Sequence, residues 1–356
     1  EKPVQHTRKE VYEWLEKELL EVETLLAEPK AKKSTDAGYG RADKAAAWML
    51  LTRLYLNAEV YTGTAQWAKA AEYAQKVINS DYKLFTAGTA NYSAYQMLFM
   101  GDNGESGASV EAVLPLLQQG DRTAAYANTT FLIASTYNTD MPDNGISGTW
   151  AGNRARKDLV KKFFTGTPPT GNTATILAAA NDDRALFYAV DRSLEIPTAN
   201  DITDFKKGYS VVKFTGIKSD GSAVTNTGFA DTDFFFFRVA ESYLAYAEAT
   251  ARLNGGNATA QGIAYLNQLR QRAHAAARTS FSLNDILDER SREFYFEAQR
   301  RTDLIRYGYY GGNNSYNWTW KGGAANGRSF DSYRNLFPLP SSDLSVNKNL
   351  KQNPGY

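Results

Sequence analysis

The sequence predicts a mainly α fold in which tetratricopeptide-like helical hairpins carry a loop-rich insertion with short strands. Three observations lead there. Apolar residues recur at helical spacing through residues 7–80, and do so again from about residue 239. Short polar turns divide those stretches into paired helices, and about 150 residues rich in Gly, Asn, Thr and Pro lie between them.

In the first segment, Val11, Trp14 or Leu15, Leu19, Val22, Leu25 and Leu26 form one stripe, giving an amphipathic helix over Thr7–Ala27 that closes before Pro29. A polar turn at Ser34–Gly40 precedes a second helix, Arg41–Tyr61. It is apolar on two faces, Ala45, Trp48, Met49, Thr52, Tyr55 and Leu56 on one and Ala47, Leu50, Leu51, Leu54 and Ala58 on the other, so burial on both sides is expected. Thr64 is placed to cap a third helix, Ala65–Ser80.

The same grammar returns at Val239–Leu253, a Gly255-Gly256 turn, and a helix Ala258–Ala277 with Asn257 as its cap. Ser282, with Asp285 three residues on, opens a further long helix. The organisation expected is a helical part over 1–85, an insertion over 86–237 containing strand-like runs such as Tyr209–Thr215, and a second helical part with a carboxy-terminal tail over 238–356 of the same domain. Structureless connections of that length inside a compact protein usually carry function.

Composition narrows the function. Lys plus Arg number 40 against 39 Asp plus Glu, and no basic run interleaves with aromatics as a nucleic-acid groove would. Cysteine is absent, which removes disulfides, thiol nucleophiles and zinc–thiolate sites. No stretch approaches the roughly 18 apolar residues of a membrane span. A signal or anchor is expected to precede residue 1. The two histidines, His6 and His274, stand alone and read as structural; no GxSxG, HExxH, Walker A or GxGxxG pattern occurs.

Long stretches resemble the SusD/RagB family of outer-membrane nutrient-binding lipoproteins: Gly38–Phe85, Phe237–Gly256, Ile286–Gly308 and the tail Asn335–Tyr356. The runs "GRADKAA", "YLNAEVYTG", "DDRALFY", "VKF" with "SDG", "DTDFFFFR" and "WKGGAANG" are most similar to the family's starch-binding type. The resemblance implies a non-catalytic cell-surface receptor that captures starch or malto-oligosaccharide, or another polysaccharide, for a SusC-like TonB-dependent transporter. It also implies an outer-membrane location through a lipid anchor, and it leaves roughly the first third of the family pattern, with the lipid-bearing cysteine, outside this chain.

By the same resemblance Tyr126, in "AAYANTTFL", and Trp150, in "SGTWAGNRARKDL", fall on two aromatics of the binding arc. A pyranose face is a patch of C–H groups that lies flat on such rings, and its hydroxyls want polar partners; Asn128, Asn153 and Arg154 are near enough in sequence to form that rim. Without the family, the same two rings read as core aromatics beneath a loop.

Asp231 and Asp233 share a face if extended and stand directly before Phe234–Phe237. Read as catalysts, they would make the chain a glycoside hydrolase. Read as ligands with Asp102 and Asn103, they suit calcium, a hard ion that takes six to eight oxygens, and the resemblance points the same way; the plain alternative is a solvated acidic turn.

Two further clusters complete the reading. The charges of Ile286–Arg306 are expected to form ion pairs along a partly buried helix, Asp288 with Arg292 and Glu297 with Arg301. Tyr307, Tyr309, Tyr310, Tyr316, Trp318 and Trp320 read either as a packed carboxy-terminal loop or as an accessory sugar or channel contact.

Overall fold

The computed structural model describes residues 2–313 and 315–356. Helix α1 (Arg8–Leu25) opens with a reciprocal cap: Glu10 N–H donates to Thr7 Oγ1 at 3.2 Å, and Thr7 N–H to Glu10 Oε2 at 2.7 Å. The stripe it buries keeps Leu15 and Leu19 of the expected one but turns Val11, Val22 and Leu25 outward and adds Tyr12. Tyr12, with Leu15 and Leu19, packs onto Leu51, Leu54 and Tyr55, while Trp14 is 58% and Leu25 77% exposed. Helical spacing allows the stripe to be centred on either edge of Leu15 and Leu19, and only the Tyr12 edge has a layer beneath it.

Asp43 caps α2 (Lys44–Leu56) by accepting from Ala45 N–H at 2.9 Å. Ala45 and Met49 face one core and Leu51, Leu54 and Tyr55 another, so this helix is buried on two sides. Helix α3 (Ala58–Thr62) ends on Gly63, whose φ of 78° a side chain would strain. Thr64 does not cap the next helix: its N–H donates to Thr62 Oγ1 at 3.1 Å within the turn, and α4 (Trp67–Ile78) begins after Gln66.

The insertion holds short elements: α5 (Ala94–Met97), α6 (Gly120–Thr123), α7 (Asn128–Ala134), α8 (Lys157–Val160) and α9 (Thr173–Ala180). Strand β1 (Ala112–Leu116) pairs antiparallel with β4 (Phe234–Arg238), and β2 (Phe187–Tyr188) with β3 (Ser210–Val211). Phe235 and Phe237 point inward from β4, each into a different core.

Helix α10 (Ala240–Leu253) is alanine-rich on every buried side. That lets it pack closely with α2 and α4 on one flank and α11 (Ala260–Arg272) on the other, merging the two hairpins into one core around Ala45, Met49, Val77, Leu244, Leu266 and Leu269. The cap of α11 is Thr259, which accepts from Gly262 N–H at 3.2 Å, rather than Asn257. Gly256, at φ 91°, has already bent the chain for entry.

Ser282 and Asp285 form the expected capping box of α12 (Leu283–Phe294). The helix then breaks. Phe296 and Ala298 adopt left-handed φ of 61° and 59° before α13 (Arg300–Arg306), and α14 (Ser341–Val346) follows in the tail. The pairs expected along one helix do not form: the break separates Glu297 from Arg301, and within α12 Asp288 and Arg292 find other partners. Asp288 meets Lys162, Arg292 meets Glu289 at 3.5 Å, and Glu297 turns inward to Lys213 at 2.6 Å and Arg238 at 2.8 Å.

These contacts belong to a buried lattice. Arg238 reaches Glu111 at 3.0 Å and Glu293 at 2.6 Å; Arg272 also binds Glu111, at 2.9 Å, and Glu293; Arg184 reaches Glu289 at 2.7 Å and Asp182 at 2.8 Å. Lys213 adds bonds to the carbonyls of Glu293 and Tyr295, at 3.1 and 2.8 Å, and so pins the start of the left-handed turn. Charges this deep are tolerated only when each is paired and hydrogen-bonded.

Candidate functional site

Helix α7 organises the exposed aromatics. Its inner side is tied to the chain before β4: Thr129 Oγ1 donates to Thr232 O at 2.7 Å, and Ala230 N–H donates to Thr130 Oγ1 at 3.0 Å. With Thr129, Thr130, Ile133 and Ala134 buried, Phe131 is left on the outer side, 45% exposed. Tyr126 lies just before the helix and Asn128, at φ 54°, begins it.

The carbonyls that end a helix lack partners within it. Here they hold the Trp150 loop. Ala134 O accepts from Trp150 N–H at 2.8 Å, and Ser135 O accepts from Gly152 and Asn153 N–H at 2.9 and 2.6 Å. Gly148 allows the close fit, since a Cβ there would stand 2.9 Å from that of Ala134.

Tyr126 and Trp150 therefore meet although 24 residues apart: their rings lie edge to face, centroids 6.0 Å apart at 61°. Phe131 adds a third ring 6.1 Å from Trp150, and Phe229 a fourth 5.0 Å from Tyr126. Tyr126 is 69% exposed and Trp150 42%, so neither is a core aromatic under a loop. The result is a shelf of four rings, three of them exposed and Phe229 half-buried.

Phe131 and Phe229 were not read as site residues. The signal for Phe131 was present, because Thr129, Thr130 and Ile133 define an inner face that excludes it. Phe229 gave none; it arrives from a segment 103 residues after Tyr126 in the chain.

Of the expected rim, Asn128 is exposed and Asn153 is exposed with its Nδ2 bonded to Ser135 Oγ at 3.0 Å, which leaves its carbonyl oxygen toward solvent. Arg154 does not join them. Its guanidinium donates to the carbonyls of Gly152, Ile202 and Lys207, each at 2.7 Å, which makes it a clamp on the chain.

The acidic residues are anchors. Asp231 accepts from Gly120 N–H at 2.8 Å and Thr225 N–H at 2.9 Å and lies 3.4 Å from Lys218 Nζ; burial works to raise its pKa, but these bonds hold it below the usual range. Asp233 accepts from Gln118 N–H and Tyr39 Oη, both at 2.7 Å, and burial pushes it up to about 6. The pair therefore fastens residues 118–120, the approach to Tyr126, against β4.

Asp102 accepts from Ser219 N–H at 2.9 Å and Ser219 Oγ at 2.5 Å, and Asn103 bonds the Asp233 backbone through both ends of its amide, at 3.0 and 2.9 Å. Among the described residues no three acidic or histidine side chains come together in a way that would hold a metal ion. With their oxygens taken by protein donors, Asp102, Asn103, Asp231 and Asp233 do not fit calcium as they are arranged. Nor are Asp231 and Asp233 placed as a hydrolase pair, since each is held by backbone N–H and hydroxyl donors of the protein, Gly120 and Thr225 on Asp231 and Gln118 and Tyr39 on Asp233.

The family model described as SusD family matches residues 195–356. Starch-binding protein SusD of Bacteroides thetaiotaomicron is 40% identical over 99% of this chain, which spans 67% of that relative's length. Among solved structures, a SusD-like protein from Bacteroides fragilis superposes with a TM-score of 0.70 at 19% identity, covering 99% of this chain and 72% of that one. Surface glycan-binding protein A from Bacteroides thetaiotaomicron, in complex with laminarihexaose, gives 0.62 at 21%, covering 98% and 72%. At such identity the structures speak for the fold alone.

Proposed function

The chain belongs to the SusD family, and from that premise we propose that the shelf of Tyr126, Phe131, Trp150 and Phe229 binds the sugar rings of a starch-like glycan. The observation that carries the reading is the exposure of Tyr126 at 69% and Trp150 at 42%, gathered around α7, a helix whose other side is firmly buried. A relative 40% identical is named for starch binding.

The protein holds the glycan and performs no chemistry on it. Each ring covers about 50 Å² of apolar sugar surface, worth about 1 kcal/mol at ~25 cal/mol/Å². Association itself costs several kcal/mol, so short oligomers bind in the millimolar range, and tighter capture needs a polymer engaging several contacts. In the full-length protein the captured glycan passes to a SusC-like TonB-dependent transporter, with the receptor held by a lipid anchor at the outer face of the outer membrane.

Calorimetry with maltoheptaose tests this. Heat is expected from the native chain, with a loss of about fivefold in affinity in Trp150→Ala, one stacking contact of about 1 kcal/mol. Absence of heat with every α-glucan, alongside heat from another polysaccharide, would keep the shelf and replace starch as its ligand.

A further inference from the structure

A cavity of about 800 Å³ lies away from the shelf, and none of the four shelf rings lines it. One wall is the chain from Arg154 to Lys162, the floor is α12 with the left-handed turn at Phe296, and the far wall is α13 with the aromatic loop of Tyr310, Tyr316 and Trp318. The volume falls within the range of small-molecule sites, roughly 300–1,000 Å³.

Its charge is lopsided. Seven cationic and three carboxylate side chains line it, and the three carboxylates are engaged: Asp288 by Lys162, Asp303 by Arg290 at 2.9 Å and Arg306 at 2.7 Å, and Asp158 by Thr319 N–H at 3.0 Å. Among the described residues, Arg154, Arg156, Lys161, Arg300 and Arg301 have no carboxylate within 4.0 Å.

Four of these five are held in place by neutral groups. Arg154 clamps three carbonyls. Arg156 donates to Thr319 O at 3.0 Å, Arg300 to Tyr316 Oη at 2.5 Å and Leu287 O at 3.1 Å, and Arg301 to the carbonyls of Arg334 and Asn335 at 3.2 and 3.0 Å. Burial, and then the charges of Arg300 and Arg292, keep the Lys162 ammonium below its ordinary range despite Asp288. Asp158 and Asp204 act on Arg156 and Arg154 only from beyond contact distance, and the cations still outnumber the carboxylates, so the cavity keeps a standing field for an anion.

The rings add a second requirement. Tyr310 and Trp318 are stacked, 6.2 Å apart at 23°, with Arg301 5.0 Å from the Tyr310 ring and Lys321 Nζ 4.5 Å from the Trp318 ring; both rings stay half-buried at the cavity wall, where the part of the indole left open meets an apolar ligand face.

We propose that this cavity is a second ligand site, which takes an acidic sugar: a hexuronate unit whose carboxylate meets Arg156, Lys161 and Arg300 and whose ring face lies on Trp318. An acidic peptide satisfies the charge but supplies no pyranose face for the indole. The aromatic loop thus serves as an accessory sugar contact of a chemical class different from that on the shelf.

Calorimetry of the full chain with trigalacturonate and maltotriose, at low and raised salt, tests it. Trigalacturonate is expected to bind with an affinity that falls as salt rises, to bind at least fivefold more weakly to Lys161→Gln and Arg156→Gln, and to be unaffected by Trp150→Ala. Lys161 ends in no ion pair among the described residues, so its variant folds normally and unchanged melting confirms that. Trigalacturonate binding that ignores both variants, or no binding, overturns the proposal; so does a hexaglutamate peptide that binds through the same two residues where trigalacturonate does not. Maltoheptaose binding at the shelf stands or falls separately, through Trp150→Ala.

Discussion

Arg238 and Glu293 meet at 2.6 Å in the middle of the molecule, with side chains 1% and 0% exposed. The arginine ends β4, the glutamate belongs to α12, and their contact welds the loop-rich insertion to the helical scaffold. Glu293 also receives Arg272 and lies 3.3 Å from Arg184, so one carboxylate serves three guanidinium groups. Glu293→Gln is expected to destabilise the fold by about 3–5 kcal/mol, because it leaves buried cations without their counter-charge. Urea unfolding checks it, and a loss below about 1 kcal/mol would show the lattice to be dispensable.

The same chemistry sets an acid limit. Glu248 is fully buried, and although burial works to raise its pKa, Arg306 and Arg252 bring it from 4.5 down to about 2; Glu293 is lowered in the same way by Arg272 and Arg238. A depressed carboxyl stabilises the fold above its unfolded pKa, and that contribution disappears as pH falls from about 4.5 toward 2. For Glu248 alone the shift corresponds to about 3 kcal/mol. Melting temperature is expected to hold from pH 7 to 5 and to fall steeply below 4.5, less steeply in Glu248→Gln. Asp233 acts in the opposite direction: with its pKa raised to about 6, it favours the fold increasingly as pH drops from 6 toward 3.8, partly offsetting the early acid limb.

On the shelf, Phe131→Ala is expected to weaken maltoheptaose binding about threefold to fivefold, the loss of up to one stacking contact of about 1 kcal/mol, with little change in melting since the ring is 45% exposed. Arg154→Ala should behave conversely. Loss of three carbonyl bonds lowers stability by about 1–3 kcal/mol, while affinity for maltoheptaose stays within about twofold. If Arg154→Ala abolished affinity in a normally folded protein, Arg154 would return to the rim.

Millimolar calcium is expected to leave the melting temperature unchanged, since the oxygens of Asp102, Asn103, Asp231 and Asp233 are already bonded by protein donors. Asp231→Ala, in contrast, frees the amides of Gly120 and Thr225 together with Lys218, and should cost about 2–3 kcal/mol and loosen the approach to Tyr126. A calcium-dependent rise in melting that disappears in Asp231→Ala would show that these side chains rearrange around an ion.

What the sequence determined by itself is local. The hairpins, the Ser282–Asp285 cap, the double-faced α2 and the irregular insertion all follow from side chains within about four residues of one another, the range over which helical spacing and capping act. Tyr126 and Trp150 were readable as site residues only through resemblance, because exposure is not a local property. The runs that carried the resemblance also proved to have a second meaning: Arg184 of "DDRALFY" and Arg238 of "DTDFFFFR" converge on Glu293 of α12, and Lys213 of "VKF" on Glu297 just beyond that helix.

Tertiary structure decided the rest. Which stripe of α1 is buried depended on where α2 lies. Whether Glu297 would pair along its helix or inward depended on the left-handed turn at Phe296 and Ala298, and whether Arg154 would face sugar or backbone depended on the chain near Ile202 and Lys207. Charged and aromatic side chains choose partners by distance and desolvation once the backbone is placed, and those partners lie tens to hundreds of residues away in sequence.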